Sequence, residues 1–174
     1  SKVEELKRRL KKVRDDDRRS VEKLRETLRR VLARDRDEIR EAERELREAL
    51  KRLEDAGADE KLLRDMKKVI DEMKEHLKRN NEELKRVVER VERDLERSHD
   101  ELRRVIEEVE KRLADGDTRE DVLRDVERVV REVLEKNKKI LKEVKEVVEE
   151  SLRNVRDLIR RAREIVKEIV DRVK

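Results

Sequence analysis

Apolar residues recur along this chain at alternating steps of three and four. In the first third they are Val3, Leu6, Leu10, Val13, Val21, Leu24, Leu28, Val31, Leu32, Ile39, Ala42, Leu46, Ala49 and Leu53. The middle third continues with Leu62, Met66, Val69, Ile70, Met73, Leu77, Leu84, Val87, Val91, Leu95, Leu102, Val105, Val109 and Leu113. The last third has Val122, Val126, Val129, Val133, Ile140, Leu141, Val144, Val148, Val155, Leu158, Ala162, Ile165, Ile169 and Val173. Residues three and four apart share one face of a helix, and a mean step near 3.5 is the seam of a left-handed bundle. The first stretch shifts phase by one position near Leu24–Leu32, which suggests a locally straighter supercoil.

Two short interruptions divide the pattern, at residues 55–59 and 114–118, and they contain the only glycines, Gly57 and Gly116. Glycine takes the left-handed conformation that ends a helix at little steric cost. Asp59, Asp117 and Thr118 follow within two residues and are suited to cap the next helix. Ser1 with Glu4, and Asp117 with Glu120, have capping-box spacing. Three helices are therefore predicted, at about 1–56, 58–114 and 117–174, each roughly 80 Å long at 1.5 Å per residue. Such helices need sustained lateral packing, and short loops make neighbours antiparallel. The expected fold is all-α: an elongated, antiparallel, up-down-up three-helix bundle with left-handed coiled-coil packing, forming one domain over 1–174.

Seven polar residues interrupt the seams: Asp17, Ser20 and Asp35 in the first helix, Asn80 and Ser98 in the second, Asn137 and Ser151 in the third. With tight turns, facing residues have numbers adding to about 115 across the first loop and about 232 across the second. Asp17 then faces Ser98, which lies a turn from Asn137, with Ser20 at the same level. Asp35 faces Asn80, which lies next to Ser151. Two polar layers are expected, Asp17/Ser20/Ser98/Asn137 and Asp35/Asn80/Ser151. A buried polar group without a partner costs roughly 1–3 kcal/mol, so such layers would penalise every other register. A wet seam edge is the alternative, and Arg34 or Lys78 could partner a buried Asp35.

Composition narrows the functional classes. Charged residues make up 59% of the chain and apolar ones 33%, with no Phe, Trp, Tyr, Cys or Pro. Without cysteine there is no disulfide scaffold, thiolate metal site or cysteine nucleophile. No apolar run approaches the roughly 20 residues of a membrane span, and no secretory signal is expected. The opening Ser suggests a trimmed chain. Net charge is only +4, with basic and acidic residues interleaved three or four apart, so a solvated, salt-bridged surface is expected rather than a nucleic-acid face. Ser98-His99-Asp100 is no catalytic triad, because adjacent helical residues project about 100° apart; His99 is expected to flank the Ser98 layer or to sit in solvent. His76, near Glu72 and Glu75, has no second histidine facing it, so a surface or boundary position is expected. No enzyme activity, cofactor, metal or small-molecule ligand is expected, nor binding to nucleic acid or membrane.

Apolar residues come in adjacent pairs along the third helix. A candidate face for a further helix comprises Val130, Val133, Leu134, Val147, Val148, Leu158, Ile159, Val166 and Val170. These residues either close an ordinary three-helix core or accept a helix from another copy or a cognate chain. The Val/Leu/Ile seam, the Glu/Lys/Arg/Asp surface, the loops at Gly57 and Gly116 and the polar layers together resemble de novo designed helical bundles with buried hydrogen-bond networks. That resemblance covers the whole chain and rests on style rather than on a motif. It implies a structural scaffold or association module, or alternatively the three-helix half of a designed heterodimer or homo-oligomer.

Overall fold

The computed structural model describes residues 1–116 and 120–173. It is a three-helix bundle with no strand among those residues: α1 spans Lys2–Asp55, α2 Glu60–Ala114 and α3 Glu120–Val173. The helix ends follow from local chemistry. The Ser1 hydroxyl accepts from the Glu4 N–H at 3.3 Å, and the Asp59 carboxylate accepts from the Lys61 N–H at 3.1 Å. Each satisfies a backbone donor that the first turn leaves open. The end of α1 is a Schellman motif. The Ala58 N–H bonds the Leu53 carbonyl at 2.9 Å, and the Gly57 N–H bonds the Glu54 carbonyl at 3.0 Å. Gly57 and Gly116 have φ of 83° and 94°, the left-handed conformation anticipated from sequence. The expected cap at Asp117 and Thr118 lies outside the described residues.

A Cβ at Gly57 would touch nothing within 4 Å, so only backbone strain opposes a side chain there. Gly57→Ala is expected to lower stability by about 1 kcal/mol. Denaturant unfolding followed by circular dichroism checks this; an unchanged midpoint would count against the Schellman cap.

Contacts group the chain into two units, each drawing on all three helices. Unit 1 comprises Ser1–Glu26 and Arg86–Val147; unit 2 comprises Thr27–Lys85 and Val148–Lys174. In unit 1, Lys7 pairs with Glu110, Arg18 with Glu96 and Arg25 with Glu92. Numbers rise on α1 as they fall on α2, so these helices are antiparallel. The unit 1 core joins Val3, Leu6 and Leu10 to Leu102, Ile106, Val130 and Leu134. Unit 2 holds two apolar clusters. One joins Leu46 and Leu50 to Leu63, Ile70 and Val166, and the other joins Ile39 to Leu77, Val155 and Ile159.

The seam of α1 is buried where the pattern places it, with Leu50 added and Val13, Val31 and Leu53 half-buried. On α2 and α3 the core lies one residue over from several expected positions. Leu62 and Val105 are exposed while Leu63 and Ile106 are buried, and of the two neighbouring seam residues Val69 and Ile70 only Ile70 is buried. Likewise Val129, Leu158 and Ile165 are exposed while Val130, Ile159 and Val166 are buried. Leu113, also placed in the seam, is exposed. The physical reason is that adjacent apolar residues form two stripes about 100° apart, and only one of them can face the axis of a three-helix core.

Candidate functional site

Two features of this bundle can carry function: the polar side chains inside it, and the apolar surface left uncovered. The polar side chains sit within ordinary helix, placed inward by the same three-and-four spacing as the leucines around them.

In unit 1, the Asn137 side-chain amide donates to the Ser98 hydroxyl at 2.7 Å, joining α3 to α2. The expected Ser98/Asn137 meeting is therefore present. Asp17, however, does not meet Ser98. It lies against His99, with Asp17 Oδ2 and His99 Nε2 3.1 Å apart, and the His99 side chain is only 2% exposed. The ring N–H is not aligned for a hydrogen bond, so both atoms, and His99 Nδ1, stay buried without one. Ser20 is half-buried, and no side-chain hydrogen bond of Ser20 occurs among the described residues. The single expected layer is thus two separate pairings on neighbouring residues of α2. The reason is azimuth: Ser98 and His99 project about 100° apart, one toward α3 and the other toward α1. Of the two positions expected for His99, beside the Ser98 layer or in solvent, it takes the first, buried against Asp17, which the antiparallel pairing rule brings within one residue of it. Asp100 turns away toward Arg103, at 3.9 Å, so Ser98-His99-Asp100 forms no triad.

In unit 2, the Ser151 hydroxyl donates to Asn80 Oδ1 at 3.3 Å, again linking α3 to α2. Asp35 does not join them. Its carboxylate is buried, and neither oxygen has a hydrogen-bond partner. Burial pushes the Asp35 pKa up from the ordinary carboxylate value; Arg34 and Arg156 oppose the shift electrostatically. Neither Arg34, Arg156 nor Lys78 is within ion-pair distance of Asp35 among the described residues. Arg156 itself keeps a buried guanidinium nitrogen without a partner. The expected Asp35/Asn80/Ser151 layer is therefore a hydrogen-bonded pair plus a solitary buried acid. The height was legible from sequence, but the direction of the Asp35 side chain was not.

Ion pairs flank the α1–α2 contact. In unit 1 the Arg18 guanidinium grips Glu96 with two bonds, at 2.6 and 3.1 Å, and Arg14 approaches the same carboxylate at 3.5 Å. In unit 2 Lys74 reaches both oxygens of Glu43 at 3.0 Å, and Arg47 bonds Glu43 at 2.8 Å. The hydrogen bonds from Lys74 and from Arg18 hold the Glu43 and Glu96 carboxyls below their ordinary values. His76 is exposed. Among the described residues no three His, Asp or Glu side chains gather as a metal site requires. No helix is long and apolar enough to cross a membrane, among the same residues.

The candidate partner face on α3 divides sharply. Val130, Leu134, Val148, Ile159 and Val166 are buried in the chain's own core, and Val133 and Val170 are half-buried. Only Val147 and Leu158 are exposed, at 54% and 41%. The exposed large hydrophobic residues described are instead, in unit 1, Val129 and Val147 of α3 with Val105 and Leu113 of α2, and in unit 2, Leu158 and Ile165 of α3 with Leu62 and Val69 of α2. No large hydrophobic residue of α1 is exposed among the described residues. Compared with known proteins, the chain matches no family model, no curated protein and no solved structure.

Proposed function

We propose that this chain is a helical structural scaffold and association module of designed origin, not an enzyme, whose helix register is held by inward-facing, partly buried polar pairs. The observation that carries this reading is the hydrogen bond between Asn137 and Ser98 in unit 1, matched by the bond between Ser151 and Asn80 in unit 2. Each pair is bracketed by leucines one turn away on α2: Leu95 and Leu102 around Ser98, Leu77 and Leu84 around Asn80. A slide of one turn would set Asn137 or Ser151 against leucine. Each buried polar group so stranded costs about 1–3 kcal/mol. The polar residues are few and placed to lock alignment, and the surface is a balanced array of charges, as in a chain written for its architecture.

A second reading is favoured by the exposed large hydrophobic residues, which among the described residues lie on α2 and α3. Exposed large hydrophobics aligned on a helix face mark sites of association. On this reading the chain is one part of a larger helical assembly, with another copy or a cognate helical chain completing it.

Sedimentation equilibrium across a concentration range separates the two. A particle that stays at 21.2 kDa supports the self-sufficient scaffold. A mass that rises with concentration, or solubility that depends on a partner chain, supports assembly.

A further inference from the structure

We propose that Asp35 of α1 and Asn81 of α2 form a proton-operated latch in unit 2: once the Asp35 carboxyl takes up a proton from water, its O–H donates to Asn81 Oδ1 and ties the two helices together. Both side chains line one cavity of about 530 Å³ between α1 and α2. The two oxygens of Asp35 and Asn81 Oδ1 are buried, and none of the three has a hydrogen-bond partner. Three buried acceptors thus border one cavity, each without a donor. A buried acceptor left open is costly, and a single proton on Asp35 supplies a donor to one of them.

The pairing has a counterpart in unit 1. Eighteen residues, five turns of helix, separate Asp17 from Asp35 on α1 and Asn81 from His99 on α2. Five full turns restore the direction of a side chain, so Asp35 faces Asn81 as Asp17 faces His99, and the latter two approach to 3.1 Å. The neighbours on α2 repeat as well. Ser98 turns toward α3 and bonds Asn137, and Asn80 turns toward α3 and bonds Ser151. In each case the next residue, His99 or Asn81, stands about 100° further round, on the α1 side.

Charged groups reach Asp35 from all three helices. On α1, Arg34 and Glu38 act on it, and Arg36, Arg40 and Glu43 line the cavity. α2 presents Lys74, Lys78, Glu82 and Lys85 to the same cavity. From α3, Arg156 acts through space but lines a different cavity, between α1 and α3. Burial outweighs these cations and raises the Asp35 pKa above its ordinary value. Folding therefore favours the protonated acid: the latch is closed below the ordinary carboxylate range and opens as the pH rises through the raised value. Glu43 and Lys74, about two turns away, act in the opposite sense. Their hydrogen bonds lower the Glu43 pKa, so that clamp holds above the ordinary range and is released on acidification. As the pH falls, the α1–α2 contact of unit 2 exchanges an ion pair for a hydrogen bond.

The test is guanidinium unfolding of the full chain, followed by circular dichroism. Asn81→Leu is expected to lower the midpoint at about pH 4 and to lower it by roughly half as much or less at pH 7. In the Asp35→Leu background the same change should shift the midpoint equally at both pH values. A loss greater at pH 7 would mean that the Asn81 amide donates to the carboxylate, and an equal loss at both would mean that no bond forms; either result overturns the latch. Asp35→Asn carries a donor at every pH and tests the latch without acid. Its midpoint at pH 7 should exceed that of the native protein, and the gain should fall by roughly half or more in the Asn81→Leu background. A gain that Asn81→Leu leaves intact comes from removing the charge alone, and would also overturn the latch.

Discussion

Asp35→Leu raises stability at pH 7 by about 1–4 kcal/mol. The native side chain is a buried carboxyl with both oxygens unbonded and no cation within ion-pair distance; Arg34 and Arg156 act on it only through space. Removing a charge from water without a compensating partner is costly, and leucine removes that cost while filling similar space. The pH dependence identifies the cause. Because burial raises the Asp35 pKa in the folded protein, folding favours the protonated acid. Its stabilising contribution is fully present below the ordinary carboxylate value and is lost as pH rises through the raised one. The advantage of leucine over the native residue is therefore greatest near neutrality and shrinks as the pH falls. Glu43 and Glu96 act in the opposite sense. Their lowered values mean stability present above the ordinary range and lost on acidification, equally in both proteins. The difference between native and variant curves thus isolates Asp35. Guanidinium unfolding by circular dichroism at neutral and acidic pH measures it; a less stable variant at pH 7, or a gain that does not depend on pH, would refute the account. Extending the change to Asn80 and Ser151, with Leu or Val at all three, should keep the helices and not lower stability, because the donor and acceptor of that pair are removed together.

Asp35 also shows where sequence reasoning reaches and where it stops. Helix ends were legible because they depend on local chemistry: a glycine with positive φ, then an aspartate able to cap. The heights of the polar residues were legible because antiparallel pairing is arithmetic once the loops are placed. That arithmetic correctly brings Asn137 near Ser98 and Ser151 near Asn80. Azimuth is a different matter. Asp35 and Asn80 can share a height without touching, and Asp17 can pass Ser98 to lie against His99, because one residue of offset turns a side chain by about 100°. Pattern alone shows that Leu158-Ile159 and Ile165-Val166 are two stripes; it does not show which of them the other two helices cover.

That choice is the second strong expectation. Ile159→Ala should cost about 2–5 kcal/mol, whereas Leu158→Ala, one residue away, should cost less than about 1 kcal/mol. Ile159 is 1% exposed and packs with Ile39, Leu77 and Val155, one from each of the three helices. Truncating it removes buried methylene and methyl groups and leaves a cavity that two other helices would have to collapse into. Leu158 is 41% exposed, so its truncation mainly returns solvated surface to water, and alanine's better helix propensity offsets part of the loss. Leucine and isoleucine are isomers with equal numbers of side-chain carbons, so the difference reads burial and not residue size. Unfolding midpoints for the two single variants, measured side by side, decide the matter. Similar losses would mean that the core runs through both stripes and that no apolar face remains for a fourth helix.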